Sequence, residues 1–453
     1  MVMEENEVSK RNQLIESLLS AETNEDLSAI LEDTHSADIA DILEVLSKDE
    51  KLRIVHALKQ ETITEILPEM DPDFFYLLLD DFGPEYMASI LDELPSDEAA
   101  DIMSELNQKD LDNLLSLMHR HESALVRRVL QYPEDTAGRL MSTDYVAMNE
   151  NTTPEQAIEY IRSKRQEEPF YYVYVVDNNN KFIGSVPIQK ILFASKTSTL
   201  GVLIDEEETV SVSTGVDQEE VARLFEKYDI PAVPVVDGDG RLAGRITVDD
   251  IIDVIYEENS EDIYRMAGTD YEEVYSDSAF KVARIRLPWL LTCIIGSLLS
   301  GAVIHYFEIT LSKAIALVSF IPVIMATGGN TGLQSCTIMV RRMALGNVSS
   351  HNVFSSIFKE IRTGLILGLV CGSFLCLIAF LWRGDASVGV ILGMSMFCAV
   401  SASSILGILI PMVFKKINID PAVASGPFIT TLNDVIGLTI YLFLATILLS
   451  HVL

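Results

Sequence analysis

Asp434 is the only acidic or basic residue between Pro421 and Leu453, in a stretch otherwise apolar enough to cross a membrane. A carboxylate at that depth is costly against lipid, so it should face a protein interior or a water-filled path, where it would suit a cation. Other acids crowd together. Asp249, Asp250, Asp253, Glu257, Glu258, Glu261 and Asp262 follow one another closely, with Asp97/Asp101 and Asp217/Glu219/Glu220 as smaller groups. Asp250/Asp253 and Glu258/Glu261/Asp262 stand at helical i, i+3 and i+4 spacings, where like charges share a face and repel. Sequence tolerates that on a solvated face, the default for any single cluster, or where a cation neutralises it, the reading taken for the whole set. Oxygen-only clusters without His or Cys suit Mg²⁺ or Ca²⁺ better than zinc or copper. No catalytic constellation is visible, so no enzyme is expected, and there is no basic footprint for nucleic acid.

The charge is divided along the chain. The protein carries 33 Lys+Arg against 67 Asp+Glu; from Lys281 onward there are 11 basic and 5 acidic residues, so residues 1–280 hold a net charge of −40. The later part contains five charge-poor runs: Leu287–Phe307, Ala314–Val340, Thr363–Trp382, Ala386–Phe414 and the Asp434 segment. Each is long enough to cross a hydrocarbon core of about 30 Å as a helix. Basic residues flank them in alternation: Lys281, Arg284 and Arg286 before the first, Arg341, Arg342, Lys359 and Arg362 after the second, Lys415 and Lys416 after the fourth. By the positive-inside tendency this predicts a multi-pass protein of the cell (inner) membrane, with a cytoplasmic N-terminus and an extracytoplasmic C-terminus. The five cysteines all fall in these runs and read as small packing residues. The first 40 residues are polar and acidic, unlike a signal peptide.

The soluble part divides in two. Ile42-Leu43-Glu44-Val45-Leu46-Ser47-Lys48-Asp49 is echoed by Ile66-Leu67-Pro68-Glu69-Met70-Asp71-Pro72-Asp73 and by Ile90-Leu91-Asp92-Glu93-Leu94-Pro95-Ser96-Asp97, a period of 24 residues. Ser47, Asp71 and Ser96 are expected N-caps, and stacked helical hairpins forming a superhelix follow. A second repeat has a spacing of 60 residues: Val173-Tyr174-Val175-Val176-Asp177 with Phe182-Ile183-Gly184 matches Val233-Pro234-Val235-Val236-Asp237 with Leu242-Ala243-Gly244. Each copy reads as strand, polar turn, strand and helix, and the pair resembles two CBS modules. That resemblance implies an adenine nucleotide such as ATP near Thr247 and Asp250 of the second copy, whereas the first copy has Pro187 and Lys190 at the equivalent positions. A dimerising module without nucleotide is the alternative. Residues 263–282 are expected to form a helix running into the first span.

In the membrane part, Pro322-Val323-Ile324-Met325-Ala326-Thr327-Gly328-Gly329-Asn330-Thr331-Gly332 places small and amide residues mid-span, suiting either a pore lining or tight helix packing. Asp420-Pro421-Ala422-Val423-Ala424-Ser425-Gly426-Pro427 opens the last span and is expected to break or kink it, leaving carbonyls free to face water. With the acidic repeat domain and CBS pair, these two motifs resemble the MgtE family of magnesium channels across nearly the whole chain. The resemblance implies a multidomain fold: an all-α superhelical N-terminal domain over 1–136, an α/β CBS pair over 137–256, a connecting "plug" helix over 257–283 and a five-helix α transmembrane domain over 284–453. It also implies a homodimer in lipid with Mg²⁺ as permeant ion and regulator. Asp434 corresponds to the family's pore aspartate, and Asp250, Asp253, Glu258, Glu261 and Asp262, with Asp97, Asp101, Asp217 and Glu219, to its sensing acids. Gly328, Gly329, Asn330, Asp420 and Asn433 are expected along the pore. Competing readings are a transporter of Mn²⁺ or Co²⁺, a CBS-containing anion channel and a membrane sensor that transports nothing. The net charge of −40 and the buried acid argue against the anion channel.

Overall fold

The computed structural model describes residues 2–21, 23–163, 170–205, 209–273, 278–344, 350–424 and 426–452. Two compact units divide it, Met1–Val254 and Ile255–Leu453.

In the first unit, helices begin at Ser36, Gln60, Pro84 and Gln108, and their partners begin at Lys48, Pro72, Ser96 and Arg120, so the 24-residue period extends to a fourth copy. Ser47 and Glu50 form a capping box, and Asp71 accepts from the Phe74 N–H at 2.7 Å. Ser96 departs from expectation. Pro95 holds the N-cap position and Ser96 begins the helix Ser96–Ser104, its hydroxyl accepting from the Thr143 N–H at 3.0 Å. Gly83 links two proline-started turns at φ +83°, a conformation that costs glycine little. One apolar core, with Leu43, Ile66, Phe74, Ile90 and Leu114 all buried, runs through the stack.

The CBS modules form two sheets of the same design. β1 (Ala147–Asn149) lies parallel to β2 (Tyr172–Val176), which pairs antiparallel with β3 (Phe182–Pro187). β4 (Val212–Ser213), β5 (Ala232–Val236) and β6 (Leu242–Thr247) repeat the pattern, down to an irregularity between Val175/Val176 and between Val235/Val236. Asp177 and Asp237 close equivalent turns by accepting from backbone N–H groups, and Lys181 bridges Arg241 between the copies. Arg139, buried, donates to the Ala100 carbonyl at 2.8 Å and joins the CBS pair to the helical stack.

The acidic helix runs from Val248 to Ala267 and ends before Gly268, which has φ +78°. This corrects the expected helix over 263–282: a short turn at Tyr271–Glu273 follows, residues 274–277 lie outside the described residues, and a new helix starts at Ala279.

In the second unit five helices are long and apolar enough to cross a membrane. The first span is Ala279–Tyr306 and the fourth Ala386–Lys416. The second, Ile321–Ala344, is entered through a 3₁₀ turn at Ile315–Phe320. The third, Ser350–Arg383, starts well before the apolar run, so Lys359, Glu360 and Arg362 are helical. The fifth is Gly426–Val452, after a 3₁₀ turn at Pro421–Ala424. Pro427 therefore lies in its first turn, where a missing N–H does no harm, and the expected kink is a helix start; Ser425 lies outside the described residues. Small residues let the spans approach closely: a Cβ on Gly372 would lie 2.5 Å from the Gly393 carbonyl oxygen, and one on Gly296 would lie 1.7 Å from Thr431 Cγ2.

Candidate functional site

The fifth span positions Asp434 half-buried. Among the described residues it has no ion-pair partner, and a Cβ built on Gly329 would sit 3.9 Å from its Oδ1. The second span's glycines thus leave room beside this carboxylate. Asn330 is exposed. Two residues expected along the path are instead packed inside the single chain. Gly328 faces Ser403 of the fourth span, and Asn433, 1% exposed, occupies the space a Cβ on Gly332 would need, 1.7 Å from Asn433 Nδ2. The glycine therefore makes the berth for that amide. Successive residues on a helix point about 100° apart, so Asp434 and Asn433 meet different neighbours.

Asp420 sits before the turn that opens the fifth span and accepts from the Ala422 N–H at 2.8 Å through Oδ1. Its other oxygen pairs with Arg265 at 2.5 Å, and Arg265 also pairs with Glu261 one turn earlier. The last turns of the acidic helix are thereby tied to the start of the fifth span by a fixed cation. Close backbone contact accompanies the tie, since a Cβ on Gly426 would collide with the Met266 carbonyl oxygen at 2.1 Å. Farther on, Ser335 of the second span donates to Glu360 of the third at 2.6 Å. Sequence reading passed over Arg265 and Glu360. The signal for Glu360 was available, because it stands only three residues before the third apolar run.

The acids expected to sense cations are mostly engaged locally. Asp250 Oδ2 accepts from the Thr247 N–H at 2.9 Å and its hydroxyl at 2.7 Å, so the pair proposed for nucleotide forms the start of the acidic helix. Burial pushes the Asp250 carboxyl above the ordinary carboxylate range, against the lowering effect of those bonds. Asp217 caps its helix by accepting from the Glu219 N–H, and Glu219 pairs with Arg223 at 2.6 Å. Asp101 pairs with Arg139 at 3.1 Å, whereas Asp97 is buried one turn away. Asp253 is exposed, and Glu258 and Asp262 are half-buried along the same helix. Among the described residues no three His, Cys, Asp or Glu side chains converge as a metal-ligating group.

The chain matches the profile of MgtE, a divalent cation transporter, over residues 321–444, that of the MgtE intracellular N domain over 34–135, and that of the CBS domain over 137–197 and 204–257. A magnesium transporter MgtE of Enterococcus faecalis is 38% identical over 331 residues, 73% of each chain. One of Thermus thermophilus is 36% identical over 344 residues, 75% of this chain and 76% of its own. A crystal structure of the cytosolic domain of the Mg²⁺ channel MgtE in complex with ATP aligns with a TM-score of 0.50 at 31% identity, over 53% of this chain and 99% of that one. An N domain, a CBS pair and five apolar helices in this order, with relatives this similar over most of the chain, place it in the MgtE family of magnesium transporters.

Proposed function

We propose that this chain is a Mg²⁺-selective channel of the cell membrane, conducting through a path at Asp434 and closed by cytosolic Mg²⁺. The observation that carries the reading is Asp434 itself: a half-buried carboxylate without an ion-pair partner among the described residues, beside Gly329. Mg²⁺ gives up its waters reluctantly and keeps several of them when bound. A carboxylate next to a glycine can hold a hydrated ion through those waters, unlike a filter of carbonyls that strips the ion. In a homodimer the two Asp434 carboxylates would face one path, and a cation between them offsets their mutual repulsion.

Closure follows from the same cation acting on the acidic helix. At low Mg²⁺ the net charge of −40 on residues 1–280 favours separation of the cytoplasmic parts. Moving a gate from 1:99 to 99:1 needs about 5.5 kcal/mol of differential binding, within reach of several weak sites together. A homodimer would bring the acids of a second chain to the same clusters. The ATP-bound relative supports nucleotide binding at the CBS pair here, with Asp250 holding Thr247 in place. The N-terminus is cytoplasmic and the C-terminus extracytoplasmic in this scheme.

Liposome flux of Mg²⁺, Mn²⁺ and Co²⁺ by the full chain, with and without Asp434→Asn, tests it. Mg²⁺ flux that depends on Asp434 and exceeds that of the other ions is expected. Equal flux of all three would replace the selectivity with general divalent transport, and no flux under any condition would favour a sensor.

A further inference from the structure

The second unit holds a cleft of about 490 Å³ where the first span begins. Among the described residues its polar side carries Arg265, Lys281 and Arg284 with one acid, Asp270, and Lys281 and Asp270 each make a further contact. Arg265 is engaged by Glu261 and Asp420, and neighbouring Arg286 by Glu273. Arg284 is exposed and has no ion-pair partner among the described residues. The other side of the cleft is apolar, formed by Ile285, Pro288 and Trp289. The two sides differ in depth. Leu287, Leu290 and Leu291 on the same helix are 53%, 57% and 48% exposed in the single chain, an apolar run suited to hydrocarbon. Arg284 lies about 9 Å before Leu290 at ~1.5 Å per residue, the level of the headgroups. Tryptophan is enriched at that boundary.

A cavity with cations at headgroup depth and apolar walls one turn deeper is matched by a molecule with a phosphate at one end and a hydrocarbon chain at the other. We propose that this cleft binds an anionic phospholipid of the leaflet bordering the start of the first span. Arg284 holds its phosphodiester, Lys281 adds positive charge beside it, and Ile285, Pro288 and Trp289 carry the first part of an acyl chain. Basic pockets beside membrane helices select such headgroups through charge and hydrogen bonds together. Because Arg265 and Val423 also line the cleft, the lipid lies next to the tie between Glu261, Arg265 and Asp420.

The test uses the purified full chain in detergent, given phosphatidylglycerol or phosphatidylcholine and read by native mass spectrometry for retained lipid. Wild type should retain phosphatidylglycerol in preference, and Lys281→Gln/Arg284→Gln should lower that preference about tenfold. The charge-keeping Arg284→Lys should retain it, as should Arg383→Gln, which removes an exposed cation at the far end of the third span. Should the double variant not fold, Arg284→Gln alone carries the reading, since that side chain supports no other described contact. Equal retention of both lipids by wild type, or undiminished preference in the glutamine variants, would overturn the proposal. Displacement of phosphatidylglycerol by soluble glycerol phosphate at millimolar concentration would assign the cleft to a free phosphate and overturn it equally.

Discussion

Asp434 and the acids of Val248–Ala267 present the same functional group in opposite settings. Asp434 stands alone in a long apolar helix, half-buried beside glycine. The acidic helix carries many carboxylates, several of them answered by nearby donors: Thr247 for Asp250 and Arg265 for Glu261. A lone carboxylate in a membrane span is costly, which makes it a candidate functional residue by default. Carboxylates near water cost little, and each can be changed without emptying the cluster. On the proposed reading, function in the first setting is concentrated in one residue, and in the second it is spread over many.

The sharpest way to break that contrast is Asp434→Ala. Mg²⁺ uptake into proteoliposomes should fall to the background of empty vesicles while the protein keeps its elution volume; uptake at the wild-type rate would show that the lone acid is not the point of passage. Next comes the packing that sets its orientation. Gly332→Ala would force a methyl onto Asn433 Nδ2, and overpacking of this kind costs about 1–3 kcal/mol. Thermal unfolding in detergent should show the loss, and an unchanged midpoint would mean the second and fifth spans pack otherwise.

On the acidic side the effects are smaller and of both signs. Arg265→Gln leaves Glu261 and Asp420 without their shared cation, so Mg²⁺ should close the channel at lower concentration. The shift should be about threefold, the scale of a half-exposed ion pair worth roughly 0.5–1 kcal/mol. Asp253→Asn and Glu258→Gln remove one anion from a crowd and should move the midpoint modestly the other way, with conductance intact. Open probability against cytosolic Mg²⁺ reads both, and shifts in one common direction would refute the distinct role of Arg265.

The smallest effect is a pH dependence. The folded chain holds Asp250 above its unfolded pKa, so the native state keeps the proton longer and loses stability as pH rises through that range. Asp250→Asn keeps an acceptor for Thr247 but has no proton to lose. Its stability relative to wild type should therefore increase from acid to neutral pH in thermal unfolding, and a constant difference would contradict the burial of this group.

Much of the architecture was legible in the sequence, because it is written in local periodicity. The 24-residue repeat follows from apolar helix ends followed by capping residues, the CBS duplication from matched strands and turns, and the spans from uninterrupted apolar length. Those signals act over one or two turns of chain, which is the reach of capping and amphipathic patterning. Asp434 belongs with them, since its isolation is a property of its own helix. Tertiary structure alone decided which side each residue faces and what it meets. It turned Asn433 onto Gly332 and away from the expected path, and it ended the acidic helix at Gly268. It also paired Ser335 with Glu360 across 25 residues and Arg265 with Asp420 across 155. Such contacts depend on how separate helices rotate and close on one another, and the spacing of residues within any one helix does not encode that.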